Sequence, residues 1–331
     1  MIRQNFNADW MVEKGDGNSR MNSFLGNTQT KTVHLPYDAM IHEARTPDTK
    51  NGAQTGFYPG GEYIFQKHFT APQAWQGKPV SLVFEGVYQT ALVYLNGWLL
   101  TRNVNGYAEF TVEAGPYLKY GADNLLKVIA DNSLEPNSRW YTGSGIYRPV
   151  RLLVGNKVYL PQDTVRITTR EVGEGFALLD VTAQVQSASA VTERVTLQQT
   201  ICREGTAVLT DRQNLLLQPG ESRTVSFRYC VDSPALWSPE NPNLYTSTMQ
   251  VLEGEEELDR EETGFGIRTL SINAAHGVRI NGQTVKLRGA CIHHDNGILG
   301  AATLPDAEER RIRQLKEAGF NAIRSRSEEH T

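Results

Sequence analysis

The sequence predicts a mainly β protein in three parts, two successive β-sandwiches followed by the start of a parallel α/β structure. Short stretches that alternate apolar and polar residues fill the chain up to about residue 268, and this period is typical of strands with one buried face. Asn-Gly pairs at 96–97 and 281–282 indicate tight hairpin turns, because both turn positions need positive φ. A helical period appears only after residue 300.

The length and composition of the chain limit the classes of function that it can have. A chain of 331 residues should hold two or three domains at about 100–150 residues each. The net charge of −4 gives no basic surface for nucleic acid or an anionic membrane. No apolar stretch is long enough to span a bilayer, and the N-terminus has no apolar segment typical of a secretion signal. We therefore expect a cytoplasmic protein with neither nucleic acid nor membrane as a partner.

The three cysteines, an odd number without metal-like spacing, favour a reducing compartment and buried free thiols. A disulfide between Cys202 and Cys230 is the alternative.

Residues 1–157 predict an antiparallel β-sandwich or jelly roll. The strand-like stretches are Ser81–Tyr88, Ala91–Leu100, Asn124–Asn132 and Arg148–Val154.

Residues 158–268 keep the β pattern with more regular spacing, which predicts a second, Ig-like sandwich of about 100 residues. Its acidic stretch, Glu253–Glu262, is interpreted as a solvated hairpin end rather than a cation site, because nothing nearby would fix the carboxylates.

From residue 269 the pattern changes to a β-α-β unit. The second Asn-Gly hairpin leads into a predicted strand at Val285–Arg288, followed by a loop and a helix. Asp306 resembles the start of a capping box, and Gly319 stands where a left-handed C-cap is expected. A short apolar strand follows at Phe320–Arg324. Two strands joined by a helix should be parallel, with a right-handed crossover.

Polar residues follow the carboxyl ends of both predicted strands, where parallel α/β structures bind their ligands. His293, His294 and Asp295 follow the first strand, and Arg324 ends the second. This set suits a ligand rich in hydroxyl or carboxylate groups. Three alternatives stand for the histidines: lining the site, structural hydrogen bonding, or metal ligation. Neighbours on an extended chain point in opposite directions, which disfavours a shared ion.

Several stretches resemble glycoside hydrolase family 2, the family of β-galactosidases, β-glucuronidases and β-mannosidases. The stretches that carry the likeness are VHLPYDAM (33–40), GEYIFQKHFTAP (61–72), ALVYLNG (91–97), RWYTGSGIYRPVRL (139–152), LWSPENPNLY (236–245), GFGIRTL (264–270), INGQTVKLRGACIHHD (280–295) and GFNAIR (319–324).

The resemblance implies a jelly-roll sugar-binding domain over 1–157, an Ig-like domain over 158–268 and an incomplete (β/α)₈ catalytic barrel over 269–325. It also implies a retaining exo-glycosidase, whose two catalytic carboxylates lie roughly 5–5.5 Å apart. In the family both are glutamates from later barrel strands, so no catalytic residue is assigned here and the fragment should be inactive. The alternative class is a non-catalytic carbohydrate-binding or scaffold module.

The resemblance assigns sugar contacts residue by residue. His293 matches a histidine that lines the family's sugar site, and Arg324 opens a family signature; a buried ion pair is the alternative for Arg324. The roles of His294 and Asp295 depart from the common pattern. The loop from Arg139 to Gly145 should reach over the barrel mouth, where Trp140 offers an aromatic face to a sugar or, alternatively, packs within the sandwich.

The resemblance makes a β-galactosidase the default, with β-glucuronidase and β-mannosidase as alternatives. The expected ligand is a β-glycoside. No cofactor is assigned, although Mg or Na in relatives leaves a metal open, and the full-length enzyme is open to homo-oligomerisation. Residues 326–331 break the signature and are expected to be a non-native tail, since a widely used sequencing adapter encodes RSEEHT in one frame.

Overall fold

A computed structural model describes the following parts of the chain: residues 1–15, 30–134, 137–138 and 140–325. Two sequence predictions, on Arg139 and on the tail 326–331, lie outside the described residues.

The chain forms two compact units. One unit contains Met1 and Gly155–Arg288. The other contains Ile2–Val154 together with the segment from Gly289 onward. The first sandwich and the predicted β-α-β unit therefore belong to the same compact unit.

The described part of residues 2–154 contains ten strands: β1 (Ile2–Asn5), β2 (Trp10–Lys14), β3 (Lys31–Val33), β4 (Gly61–Thr70), β5 (Val80–Phe84), β6 (Thr90–Leu95), β7 (Trp98–Asn103), β8 (Phe110–Glu113), β9 (Asp123–Asn132) and β10 (Val150–Val154). They form an antiparallel six-stranded sheet in the order β3-β2-β4-β9-β6-β7 and an antiparallel four-stranded sheet in the order β1-β10-β5-β8. Side chains from both sheets, such as Phe65 and Leu82, share one solvent-excluded core. The predicted sandwich is confirmed.

The predicted hairpin at Asn96-Gly97 is confirmed. It joins β6 to β7, and both turn residues have positive φ, 52° and 89°. An Asn-Gly pair reaches this region at low steric cost, which explains why the local sequence was sufficient to locate the turn.

The described residues 155–288 contain eleven strands: β11 (Val158–Tyr159), β12 (Arg166–Gly173), β13 (Phe176–Ser187), β14 (Glu193–Arg203), β15 (Thr206–Leu217), β16 (Ser222–Asp232), β17 (Tyr245–Glu253), β18 (Glu256–Phe265), β19 (Leu270–Asn273), β20 (Gly277–Ile280) and β21 (Gln283–Thr284). Strand β13 pairs with β11, β12 and β16, and a second sheet has the order β15-β14-β17-β18. Both sheets contribute to one apolar core. The acidic stretch covers the β17–β18 turn and most of β18. The prediction of a solvated hairpin end was wrong at Asp259, which is 1% exposed and accepts a hydrogen bond from the Leu160 N–H at 2.8 Å.

The C-terminal segment is a β-α-β unit built from β22 (Gly289–Ile292), helix α1 (Pro305–Glu317) and β23 (Ala322–Ser325). Strands β22 and β23 are parallel, as predicted. The strand predicted at Val285–Arg288 was wrong, since β22 begins at Gly289. Val285 instead extends the preceding hairpin, its N–H donating to the Val278 carbonyl.

The two ends of α1 differ in how well the sequence predicted them. The capping box at Asp306 was wrong: the N-cap is Leu304, and Pro305 takes the first helical position, where its missing N–H is not needed. The C-terminal prediction is confirmed. Gly319 has a φ of 88°, and the N–H groups of Gly319 and Phe320 donate to the carbonyls of Lys316 and Leu315, which is the Schellman pattern.

The cysteines were only partly predicted. All three are free, and no bond joins Cys202 to Cys230. Cys202 is half-buried and Cys230 and Cys291 are exposed, however, so the expectation of buried thiols was wrong. Cys230 occupies an outward position of the alternating strand β16. No helix in the described residues has the length and apolar character needed to cross a membrane.

Candidate functional site

The candidate site lies where the segment after β22 meets two loops of the first sandwich, within one compact unit. Three segments build it. They are the residues around Asp38 after β3, the loop 140–145 before β10, and the residues 293–302 that follow β22. The following contacts join them.

His294 is packed among aromatic rings and bound to the sandwich loop. Its Nε2 lies 2.6 Å from the carbonyl oxygen of Thr142, and a carbonyl can only accept, so Nε2 carries the proton. The ring centroids of Tyr88, Tyr107 and Tyr147 lie 6.0, 5.1 and 5.3 Å from that of His294. Burial lowers the pKa of His294, against the hydrogen bond to Thr142, which raises it. His294 therefore links the segment after β22 to the sandwich loop through its hydrogen bond to Thr142.

His293 faces a different partner, as the alternation of an extended chain predicts. Its ring centroid lies 4.0 Å from that of Trp140, with the ring planes 34° apart. His293 Nδ1 and Trp140 Nε1 are both buried and have no hydrogen-bond partner among the described residues. A buried polar nitrogen without a partner costs stability, so this pair is available to a ligand or another residue.

Asp38 is the buried carboxylate at the centre of the site, with 1% of its surface exposed. Its Oδ1 accepts from the N–H groups of Met40 and Ser144, both at 3.0 Å. Its Oδ2 accepts from the Tyr141 hydroxyl at 2.6 Å and from the Ala301 N–H at 2.8 Å. Four donors occupy the roughly four lone-pair sites of a carboxylate, which leaves Asp38 unsuited to act as a nucleophile or general base.

The charge of Asp38 also affects its neighbour Tyr141. Burial raises the pKa of the Tyr141 hydroxyl, and the nearby Asp38 carboxylate raises it further. The hydroxyl therefore stays protonated and remains a donor to Asp38.

Helix α1 supports the segment after β22 through Arg311. The guanidinium of Arg311 donates to the carbonyls of His293 and Asp295 at 3.2 and 2.7 Å, and to the side-chain oxygen of Asn296. Asn296 in turn donates to Glu308 at 2.8 Å. The helix thus fixes the backbone that carries both histidines. Asp295 itself is exposed.

Arg324 is exposed, and its side chain forms no hydrogen bond or ion pair with the described residues. Strand β23 is an edge of the two-stranded sheet among the described residues, so the alternative of a buried ion pair for Arg324 stays a prediction. Arg324 is paired in register with Cys291. Directly paired residues share a face of the sheet, and His293 lies two positions after Cys291. This pairing places Arg324 beside the end of β22, two residues before His293.

The structure brings His293, His294 and Trp140 together, but it also recruits residues that the sequence did not single out. Asp38, Arg311 and the three tyrosines around His294 were missed. One signal was available for Asp38, a lone acid between apolar neighbours in PYDAM (36–40). The tyrosines gave no such signal, because their partners are far away in the sequence.

These features define a class of protein in which loops of a β-sandwich pack against a β-α-β unit. The contact lies at the carboxyl ends of the parallel strands of that unit. Two family models match the chain. Glycosyl hydrolase 2 galactose-binding domain-like matches residues 10–166, and Glycosyl hydrolases family 2 matches residues 158–268. Together they span 10–268, and the chain belongs to glycoside hydrolase family 2.

Relatives agree with this assignment. The chain is 36% identical to the β-galactosidase BoGH2A of Bacteroides ovatus over 97% of its own length and 38% of that protein. A solved glycosyl hydrolase family 2 member from Bacteroides cellulosilyticus superimposes with a TM-score of 0.92 at 33% identity, over 99% of this chain and 43% of that one. The chain thus spans less than half the length of these relatives.

A third similar structure is a calcium-binding mutant of Bacteroides uniformis β-glucuronidase 2. It matches with a TM-score of 0.85 and 27% identity, over 98% of this chain and 39% of that one. Among the described residues here, no cluster of three or more His, Cys, Asp or Glu could hold a metal ion.

Proposed function

We propose that this chain supplies the sugar-binding domain and the opening of the catalytic barrel to a retaining exo-glycosidase that removes terminal β-linked sugars. The observation that carries the proposal is the junction of the 140–145 loop with the residues after β22, where Trp140 and His293 lie 4.0 Å apart between ring centroids. Ligands of parallel α/β structures bind at this end of the strands.

A β-galactosidase is the preferred activity, in line with the Bacteroides ovatus relative. A β-glucuronidase is the alternative supported by the Bacteroides uniformis enzyme, and a β-mannosidase is a further one. A cytoplasmic location and a homo-oligomeric full-length enzyme stay predictions of the sequence.

In this proposal the chain binds the sugar, and the two catalytic carboxylates come from later barrel strands. A retaining glycosidase needs one carboxylic acid to protonate the leaving oxygen and one carboxylate to attack the anomeric carbon. Asp38, the buried acid of the site, accepts four hydrogen bonds and supports neither role. His293, Trp140 and Arg324 are the proposed sugar contacts, with His294 holding the loop behind them.

Turnover of nitrophenyl β-glycosides tests this division of roles. The purified 331-residue chain should release no nitrophenolate from galactoside, glucuronide or mannoside substrates. A polypeptide from the same gene, extended to the length of the relatives, should hydrolyse one of them. Measurable turnover by the 331-residue chain would overturn the assignment of both carboxylates to later strands.

The second candidate function is a non-catalytic carbohydrate-binding or scaffold module, favoured by one observation. The sandwich closes its own core from both sheets, so it has the packing of an independent domain. The extended polypeptide separates the two functions: sugar binding without hydrolysis of any of the three substrates would favour the module.

A further inference from the structure

We propose that Asp38 is a positioning residue that fixes the loop carrying Trp140 and Thr142 against the segment carrying His294 and Ala301. This role rests on the proposed function, because the two segments that Asp38 joins are the ones that the proposed function assigns to sugar binding. Asp38 contacts no sugar in this proposal and acts through the loops that it joins.

The hydrogen bonds of Asp38 reach two distant parts of the chain. Tyr141 and Ser144 bracket the sandwich loop, and both donate to Asp38, at 2.6 and 3.0 Å. Ala301, which is 263 residues away in the sequence, donates at 2.8 Å. One carboxylate therefore holds both sides of the loop and the segment after β22 at the same time.

Two glycines leave room for this close approach. A Cβ at Gly143 would lie 2.6 Å from Asp38 Oδ2, and a Cβ at Gly300 would lie 2.2 Å from the same atom. Both distances are shorter than a van der Waals contact, and both glycines have positive φ. The local sequence is thus built around a carboxylate at position 38.

The effect reaches His294 through Thr142. Thr142 lies between the two loop residues that donate to Asp38, and its carbonyl accepts the His294 Nε2–H at 2.6 Å. If Asp38 releases the loop, this carbonyl moves away from the His294 ring. The hydrogen bond of His294 is therefore a direct reporter on the role of Asp38.

The site requires an aspartate. An asparagine would turn an NH₂ group toward two of the four donors, leaving buried polar groups unpaired. A glutamate is longer by one methylene, and the packed glycines leave no room for it. Asp38→Asn therefore removes the function while changing the volume very little.

The test compares Asp38→Asn with Val93→Ala, a core variant of the same sandwich with a fully buried side chain. Nitrogen NMR of the histidine rings follows the Nε2–H of His294. We expect Asp38→Asn to speed solvent exchange of this proton by about tenfold or more. Val93→Ala should keep the wild-type signal despite its lower Tm. An unchanged His294 signal in Asp38→Asn, or the same loss of the signal in Val93→Ala, would overturn the proposal.

Tyr141→Phe is the second variant, for use if Asp38→Asn does not fold, because it removes only one of the four donors to Asp38. We expect the His294 Nε2–H in Tyr141→Phe to exchange at a rate between those of wild type and Asp38→Asn. A wild-type exchange rate in Tyr141→Phe would contradict the positioning role of Asp38.

A sugar titration separates this proposal from the proposed function. If the wild-type chain binds none of galactose, glucuronate and mannose, the proposed function fails, while the His294 signal still decides the role of Asp38. If it binds one of them, Asp38→Asn should weaken that binding by about tenfold and Val93→Ala by less than about twofold. Equal affinity in wild type and Asp38→Asn would exclude a positioning role.

Discussion

The sandwich and the β22–α1–β23 unit lie in the same compact unit but bury their apolar residues to different extents. In β9 every second residue is buried, and Leu126, Val128 and Ala130 are fully excluded from solvent. Helix α1 has no buried residue, and Ile312 and Ile323 are 44% and 40% exposed. Fully burying one such aliphatic side chain stabilises a fold by about 1.5–3 kcal/mol. The β-α-β unit therefore gains little from its own core.

This difference in burial indicates which contacts stabilise the C-terminal segment. A two-stranded parallel sheet with one helix cannot cover both of its faces. The buried residues after β22 are 300–302, next to the sandwich loops. Ala301 packs in one cluster with Tyr88 and Tyr147. Within the described residues, the buried part of the segment after β22 is therefore the part that packs on the sandwich.

The largest expected effect is in the sandwich core. Leu126→Ala should lower the free energy of unfolding of this unit by about 2–5 kcal/mol, because it leaves a cavity between close-packed sheets. Urea unfolding followed by circular dichroism measures the change. A loss below 1 kcal/mol, on the order of a surface substitution, would mean that the sandwich core is not the stable part of the unit.

A smaller and local effect is expected at the junction. Arg311→Met keeps the aliphatic stem but removes the hydrogen bonds to the carbonyls of His293 and Asp295. These bonds are worth about 1–3 kcal/mol in total. Hydrogen exchange should become faster in residues 290–296 and stay unchanged in β4 and β9. Uniformly faster exchange would show that Arg311 supports the whole unit instead.

His294 should make the junction sensitive to acid. Its pKa is lowered in the folded state, whereas an unfolded histidine titrates near 6.5. Between these two pKa values the unfolded state binds more protons, so stability is full above about pH 6.5 and decreases as the pH falls. The decrease ends once the pH is below the folded pKa.

The control is His294→Gln, which keeps a donor for Thr142 but does not titrate. Unfolding at about pH 7.5 and pH 5.5 should give a larger loss on acidification for wild type than for His294→Gln. The difference between the two proteins isolates His294 from His42, whose pKa burial also lowers. Identical losses would exclude His294 as the source.

The smallest effect is expected on α1. Ile312→Ala should change the free energy of unfolding by less than about 0.5 kcal/mol, as is usual for a surface substitution. It is the matched partner of Leu126→Ala, since both remove an aliphatic side chain from the same compact unit. A destabilisation comparable to that of Leu126→Ala would show that α1 and the sandwich core contribute equally to the stability of the unit.

The sequence predicted what depends on near neighbours in the chain. The turn at Asn96-Gly97 and the C-cap at Gly319 follow from the conformational freedom of these residues, and both were located correctly. The predicted cap at Asp306 was wrong because Pro305, one residue earlier, occupies the first helical position. The predicted start of β22 was too early in the sequence, because the preceding hairpin continues through Val285.

The centre of the site was not predictable in this way. The partners of Asp38 lie 103, 106 and 263 residues away from it, and a single sequence carries no signal for such distances. Trp140 and His293 were singled out separately, but only the fold shows that their rings are in contact. Their assignment to a sugar stays a prediction.

A sugar titration of the 331-residue chain tests the central claim most directly. Galactose, glucuronate and mannose would be added while NMR follows the Trp140 indole N–H and the His293 ring. The account predicts that one of the sugars shifts both signals together in a saturable way, while signals of the exposed pair His68 and Asp123 stay in place. Saturable binding that leaves Trp140 and His293 unchanged, or no binding of any of the three sugars, would contradict it.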